Sequence, residues 1–242
     1  WVDPQDKTDG GQPGGNIRSV LMFRVDRGLQ FVDRPGADAT TATEVITADG
    51  RPQLTYSPGR IDPTNPAWND SRKPLVGQFR WHSQDVFVIA NHFSSKGGDD
   101  PLFGRWQQPV RFSESARHAQ AQVERAFLDQ LLGADANAKV VVLGDLNDFE
   151  FSQTADILVG SGDTALVDLP RTLPVNERYT YVYEGNSQVL DHILISRSLA
   201  EGPDLGRGPT AFGYDIVHTN SEFADQDSDH DPQVVRVRPR GR

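Results

Sequence analysis

The sequence predicts an α/β or α+β sandwich, and three observations carry that prediction. Short apolar runs bounded by Gly, Pro, Asn and Asp recur along the chain, as strands do. One long segment, residues 114–132, instead spaces its apolar side chains at helical intervals. Three apolar runs, near Val140, Ile193 and Val235, adjoin acidic, amide or histidine residues, so strand ends are expected to converge on one polar cluster.

In chain order, residues 3–15 are rich in Asp, Gly, Gln and Pro and read as a loop. Residues 17–25 are expected to form a strand with a buried centre, Val20-Leu21-Met22-Phe23. Asp26-Arg27-Gly28 signals a turn, and residues 29–32 are expected to pair back as a short strand. Residues 33–73 carry many Pro, Asp, Thr and Asn without a sustained period. They read as a loop-rich insertion, with Tyr56, Ile61 and Trp68 available to pack it down.

Residues 75–81 and 86–91 follow as a hairpin, and 97–112 as a long loop. Ser113 is placed to cap the helix, with Val123, Phe127, Leu128, Leu131 and Leu132 on one face and Gly133 as its stop. A strand over 139–143 ends at Gly144-Asp145. A short helix near 153–159, a Tyr-rich hairpin near 178–190, and strands near 190–195, 213–218 and 233–238 complete the pattern.

The chain has 242 residues, which fits one domain spanning 1–242. With 24 basic and 34 acidic residues its formal charge is −10, which excludes a nucleic-acid binder working through an overall positive field. It leaves room for local phosphate contacts in which a bound metal supplies the positive charge. Cysteine is absent, so no disulfide staples the fold. No run approaches the roughly 20 apolar residues of a membrane span. The start, Trp1-Val2-Asp3-Pro4, lacks the pattern of a signal peptide, and the only methionine is Met22, so the chain reads as part of a longer sequence.

Three motifs carry the chemistry: Gly144-Asp145-Leu146-Asn147, Leu190-Asp191-His192-Ile193-Leu194 and Ser228-Asp229-His230-Asp231-Pro232. Carboxylates, an amide and a histidine together suit a hard divalent cation and a phosphate ester. Asp145 and Asn147 alternate, so on an extended stretch both point one way while Leu146 enters the core. Such a pair can hold a water and a phosphate oxygen. Asp229 and His230, being adjacent, point to opposite sides, so the carboxylate that orients His230 must come from elsewhere.

With Asn91-His92-Phe93-Ser94-Ser95-Lys96, these motifs resemble the endonuclease/exonuclease/phosphatase superfamily, most of all its large secreted bacterial deoxyribonucleases. The resemblance implies a four-layer αββα sandwich and Mg²⁺- or Mn²⁺-dependent phosphodiester hydrolysis, with Ca²⁺ as a further candidate. It assigns His230 as the base, Asp191 as its orienter, and Asp145 and Asn147 to water and phosphate. It gives His92 to the phosphoryl group, Asp229 and Asp145 to the metal, and Arg72, Asn91 and Asn147 to substrate. Ser94, Ser95 and Lys96 are further candidates for phosphate contacts. Asp148 reads as a surface acid, His192 as structural, and His82, His118 and His218 as packing or surface residues.

The expected substrate is DNA, and the expected location is extracellular or at the cell surface. The same fold also hosts phosphatases and lipid phosphodiesterases, and a non-catalytic binding module or an inactive fragment is the reading from another class. The superfamily's opening strands, with an asparagine and a Gln-Glu metal carboxylate, find no counterpart before Ile17. The expectation is therefore the latter two-thirds of the domain, needing its upstream segment and no other obligate partner.

Overall fold

The computed structural model describes residues 11–12, 15–201 and 212–238. A two-stranded ribbon, β1 (Gly11–Gln12) and β2 (Gly15–Asn16), precedes β3 (Leu29–Phe31). The 33–73 region holds a hairpin, β4 (Val45–Ala48) and β5 (Arg51–Leu54), then β6 (Gly59–Arg60). Next come β7 (Leu75–Trp81), β8 (Gln84–His92), helix α1 (Glu114–Ala134) and β9 (Lys139–Asp145). After α2 (Gln153–Val159) and β10 (Leu166–Asp168), β11 (Tyr181–Tyr183) and β12 (Asn186–Gln188) form a small hairpin. The remainder is β13 (Asp191–Ser196), the single turn α3 (Arg197–Ala200), β14 (Phe212–Ile216) and β15 (Gln233–Val237).

Seven strands make the main sheet in the order β10-β13-β9-β8-β7-β3, with β6 also paired to β7. Only β8 and β9 are parallel, joined by the crossover through α1. Alternation along β9 divides the core in two. Val140 and Val142 join Val76, Ile89 and Leu194 beneath Leu128 and Leu131 of α1 and Leu158 of α2. Val141, with Ile193 and Ile195, faces Phe212, Tyr214, Val235 and Val237 of the β14–β15 pair. Covered on both faces, the strand reads Val-Val-Val-Leu without a polar break.

The molecule is thus α/β, with helices on one face of a large sheet and a second, two-stranded sheet on the other. Among the described residues no long helix lies outside β14–β15, so three of the four expected layers are present. Leu54, Ile61 and Trp68 of the 33–73 region are buried in the helix-side core.

Some local expectations need correcting. Residues 17–25 are not a strand: 17–24 have no regular structure, and Val20 and Met22 stand exposed. Leu21 instead lies over Gly77 of β7, and Phe23 packs against Phe31 and Phe79, so this apolar run covers a sheet face. Accordingly β3 pairs with β7 and not back on that segment. Gly133 does not stop α1, which continues through it to Ala134. Ser113 makes no capping bond because its hydroxyl lies between Asp99 and Arg117.

Candidate active site

The strand register builds the centre of the site. His92 at the end of β8 is paired with Asp145 at the end of β9, and Asp145 with Asp191 at the start of β13. Directly opposed residues present side chains to the same face, so His92, Asp145 and Asp191 form one row across three strands. His92 Nε2 is 3.4 Å from Asp145 Oδ2.

The fourth member arrives from the segment before β15. His230 forms an isolated bridge with Tyr181, and its Nδ1 lies 2.6 Å from Asp191 Oδ2. Buried Thr180 joins the two segments: its hydroxyl accepts from the N–H groups of Leu190 and Asp191, and its carbonyl accepts from Asp231 N–H. Asp231 is anchored in turn, accepting the N–H groups of Thr219, Asn220 and Ser221 and the Ser221 hydroxyl.

Gly144 explains how two strands can come together above this row. Its φ is +127°, and a Cβ there would lie 2.1 Å from the Asn91 carbonyl oxygen, so only glycine fits. Beyond it the chain does not stay extended as expected. Asn147 adopts φ 51°, and the turn is closed by its N–H donating to Asp145 Oδ1 at 2.7 Å. Its Nδ2 donates to Asp145 Oδ2 at 3.1 Å and to the Phe93 carbonyl at 3.0 Å. The two side chains therefore meet through a tight turn, with Asn147 holding the carboxylate.

The row is electrostatically unbalanced. Burial, then the nearby Asp191 carboxylate, raises the Asp145 pKa to about 6. Burial works against a charged His230, but the Asp191 hydrogen bond and the surrounding carboxylates outweigh it and raise His230 to about 9. Burial and the Arg72 guanidinium lower His92 to about 4, so His92 is neutral at pH 7 and its approach to Asp145 is not an ion pair. Donor atoms of Asp145, Asp191 and His230 lie within 4.8 Å of one another. Two carboxylates that repel beside an imidazole fit a divalent cation, with Asp145 and Asp191 as ligands, since His230 Nδ1 is already committed to Asp191.

The sequence profile of the Endonuclease/Exonuclease/phosphatase family matches residues 55–222. The chain belongs to that family. No curated protein matches it by sequence. Among solved structures, the human Nocturnin catalytic domain with bound sulfate gives a TM-score of 0.48 at 14% identity, over 88% of this chain and 60% of that one. The Bacteroides thetaiotaomicron mannosyl-6-phosphatase gives 0.48 at 18% identity, over 89% and 68%. Sphingomyelinase C from Streptomyces griseocarneus gives 0.43 at 16% identity, over 68% and 57%.

Other expected site residues of this family member are placed less centrally. Asp229 is exposed at the rim beside His230 and is not part of the Asp145–Asp191–His230 group. Alternation along β8 turns Asn91 beneath α1, where its Nδ2 donates to buried Glu124 at 3.0 Å. Arg72 is buried and donates to the Phe93 carbonyl that Asn147 also uses. Ser94 is bonded to Gln120 through both its N–H and its hydroxyl.

Asp148 is not a surface acid but a buried hub. It accepts from Lys96 Nζ at 3.1 Å, Arg117 Nε at 3.1 Å and the Thr154 hydroxyl at 2.7 Å. His192 is fully buried between Asp168 and the Asp148 carbonyl, each 3.0 Å away. Arg117, Gln120 and Thr180 escaped the motif reading. For the first two a signal exists: Arg117, Gln120 and Glu124 recur at helical spacing on the buried side of α1, where apolar residues belong. Thr180 has no such signal, because the N–H groups its hydroxyl accepts lie ten and eleven positions away.

Proposed function

We propose that this chain hydrolyses phosphodiester bonds, with DNA as substrate, by water activated at His230 beside a divalent cation. The observation that carries the reading is the 2.6 Å His230–Asp191 contact at one end of the His92–Asp145–Asp191 row. Membership of a family of endonucleases, exonucleases and phosphatases supports phosphoester chemistry.

With Nδ1 engaged by Asp191, His230 offers Nε2 to take a proton from water. Asp191 fixes that tautomer and stabilises the imidazolium that forms. Asp145 is held by Asn147, so its oxygen atoms need no reorganisation during the reaction. His92, neutral, offers a ring N–H to a phosphoryl oxygen or the departing alkoxide. Asp145 and Asp191 would hold Mg²⁺ or Mn²⁺, with Ca²⁺ a third candidate, and Asp229 would add charge from the rim. Such a cation, when bound, supplies Lewis-acid charge at the phosphoryl oxygens.

The test is hydrolysis of plasmid DNA, RNA, a phosphomonoester, a phosphoinositide and sphingomyelin, with each cation in turn and with EDTA. The expected result is cation-dependent cleavage fastest on DNA and lost in EDTA. Hydrolysis of the lipid or monoester substrates in preference to DNA would transfer the site to a lipid phosphodiesterase or phosphatase. No cation-dependent hydrolysis of any substrate would overturn the reading.

A further inference from the structure

Beside His230 opens a cleft of about 510 Å³, bounded by Asn147 and Phe149 on one side and by the β11–β12 hairpin on the other. Tyr181 and Tyr183 are two apart on β11 and share a face. The Tyr181 ring stands 4.9 Å from the His230 ring, and Tyr183 is stacked 6.2 Å further out with its plane only 12° from that of Tyr181. Tyr183 is 53% exposed. Tyr179, next in the alternation, is occupied: its ring lies flat on His218 with centroids 3.9 Å apart. Two rings therefore lead outward from the reacting centre, the outer one with a free face.

The cleft's charges point the same way. Its lysine and its arginine already face carboxylates: Lys96 is 3.1 Å from Asp148, and Arg111 is 3.0 Å from Glu114. Asp229 and Glu184, also on its wall, are exposed acids. A duplex binder draws its affinity largely from contacts to two phosphate backbones. This wall offers those backbones little positive charge, but it offers flat aromatic surface. A base in a duplex has its faces covered by its neighbours, so an aromatic ring can stack only on an unpaired one.

We propose that Tyr181 and Tyr183 form a platform seating the unpaired base next to the scissile phosphate, so that single-stranded nucleic acid is the preferred substrate. This rests on the phosphodiesterase reading above. Among the described residues the platform lies on one side of His230, so the base on that side of the phosphate is the one read.

The experiment measures binding by fluorescence anisotropy in EDTA, which prevents cleavage, at fixed salt. The probes are fluorescein-labelled octathymidylate, an abasic chain with the same number of phosphates, and a hairpin duplex. Octathymidylate should bind about tenfold or more tighter than the abasic chain. Tyr183→Ala should remove most of that difference and Tyr183→Phe should keep it. Equal affinity for base-bearing and abasic chains, tighter binding of the duplex, no measurable octathymidylate binding, or insensitivity to Tyr183→Ala would each overturn the platform. Cation-dependent hydrolysis of methyl p-nitrophenyl phosphate, which carries no base, reads the chemistry separately. If that substrate is cleaved while the anisotropy shows no base preference, only the platform fails. If it is not cleaved while the preference persists, only the hydrolysis reading fails.

Discussion

His230 Nδ1 and Asp191 Oδ2 stand 2.6 Å apart although 39 positions separate the two residues. The contact raises His230 to about 9 against the opposing effect of burial. A histidine so basic is a poor base near pH 7 until a second positive charge competes for the carboxylates around it. If a cation binds beside the pair, proton removal and cation binding are therefore coupled.

Replacing His230 with Ala should lower kcat by about 10²–10⁴, the range for a lost general base. Asp191→Asn should be nearly as damaging and should also move the acidic limb of the kcat/KM pH profile downward, because it removes the group that raises His230. A profile whose limb stays in place in Asp191→Asn would show that the pair does not set the basicity of the reacting group.

Thr180→Val keeps the shape of the side chain but removes an acceptor from two N–H groups, those of Leu190 and Asp191. Leaving buried donors unsatisfied costs about 1–3 kcal/mol. Urea unfolding should report that loss, and kcat should fall with little change in KM, since Asp191 is displaced from His230. Wild-type kcat together with the stability loss would confine Thr180 to a structural part.

At Gly144, Ala would place a Cβ 2.1 Å from the Asn91 carbonyl at a φ of +127°. Both the clash and the backbone region penalise it, so a loss of at least about 3 kcal/mol is expected. Chemical denaturation monitored by circular dichroism checks this. A loss below about 1 kcal/mol would mean that β8 and β9 separate easily at their ends.

Much of this was legible in the chain because strands and helices announce themselves by period. β9, α1, α2 and the β7–β8 hairpin follow from apolar spacing, and Asp145, Asp191 and His230 from their position beside such runs. What periodicity cannot say is which face a strand residue takes once its neighbours are unknown. Asn91 and His92 are adjacent, yet one lies under α1 and the other beside Asp145. Residues 17–25 misled for a related reason: an apolar run covers a sheet as readily as it joins one. Asp148 was missed because its partners Lys96 and Arg117 lie 52 and 31 positions away.

Asp148→Asn should be costly. Arg117 is fully buried, and removing the charge beside it leaves a cation poorly compensated, at about 3–5 kcal/mol. Burial favours a neutral Asp148, but Lys96 and Arg117 outweigh it and lower its pKa. Its stabilisation is therefore fully present above the ordinary carboxylate value of about 3.9 and is lost as pH falls through the lower folded value. Acid unfolding should be shallower in Asp148→Asn, and an unchanged acid limb would remove Asp148 from the account.

Cation binding should leave its own pH signature in thermal stability. In the metal-free protein Asp145 is raised to about 6, so stability falls as pH climbs from the unfolded carboxylate value of about 3.9 through 6. His230, raised to about 9, adds stability that is complete below about 6.5 and lost as pH rises through 9. A cation between Asp145 and Asp191 relieves the first of these losses, and at pH 5 it must first displace the Asp145 proton. Millimolar Mg²⁺ or Mn²⁺ should therefore raise Tm more at pH 7.5 than at pH 5, by mass action on the folded state. Asp145→Asn should raise the metal-free Tm at pH 7.5 and abolish most of the cation's effect. A Tm shift of the same size at both pH values, or one that survives in Asp145→Asn, would place the cation elsewhere.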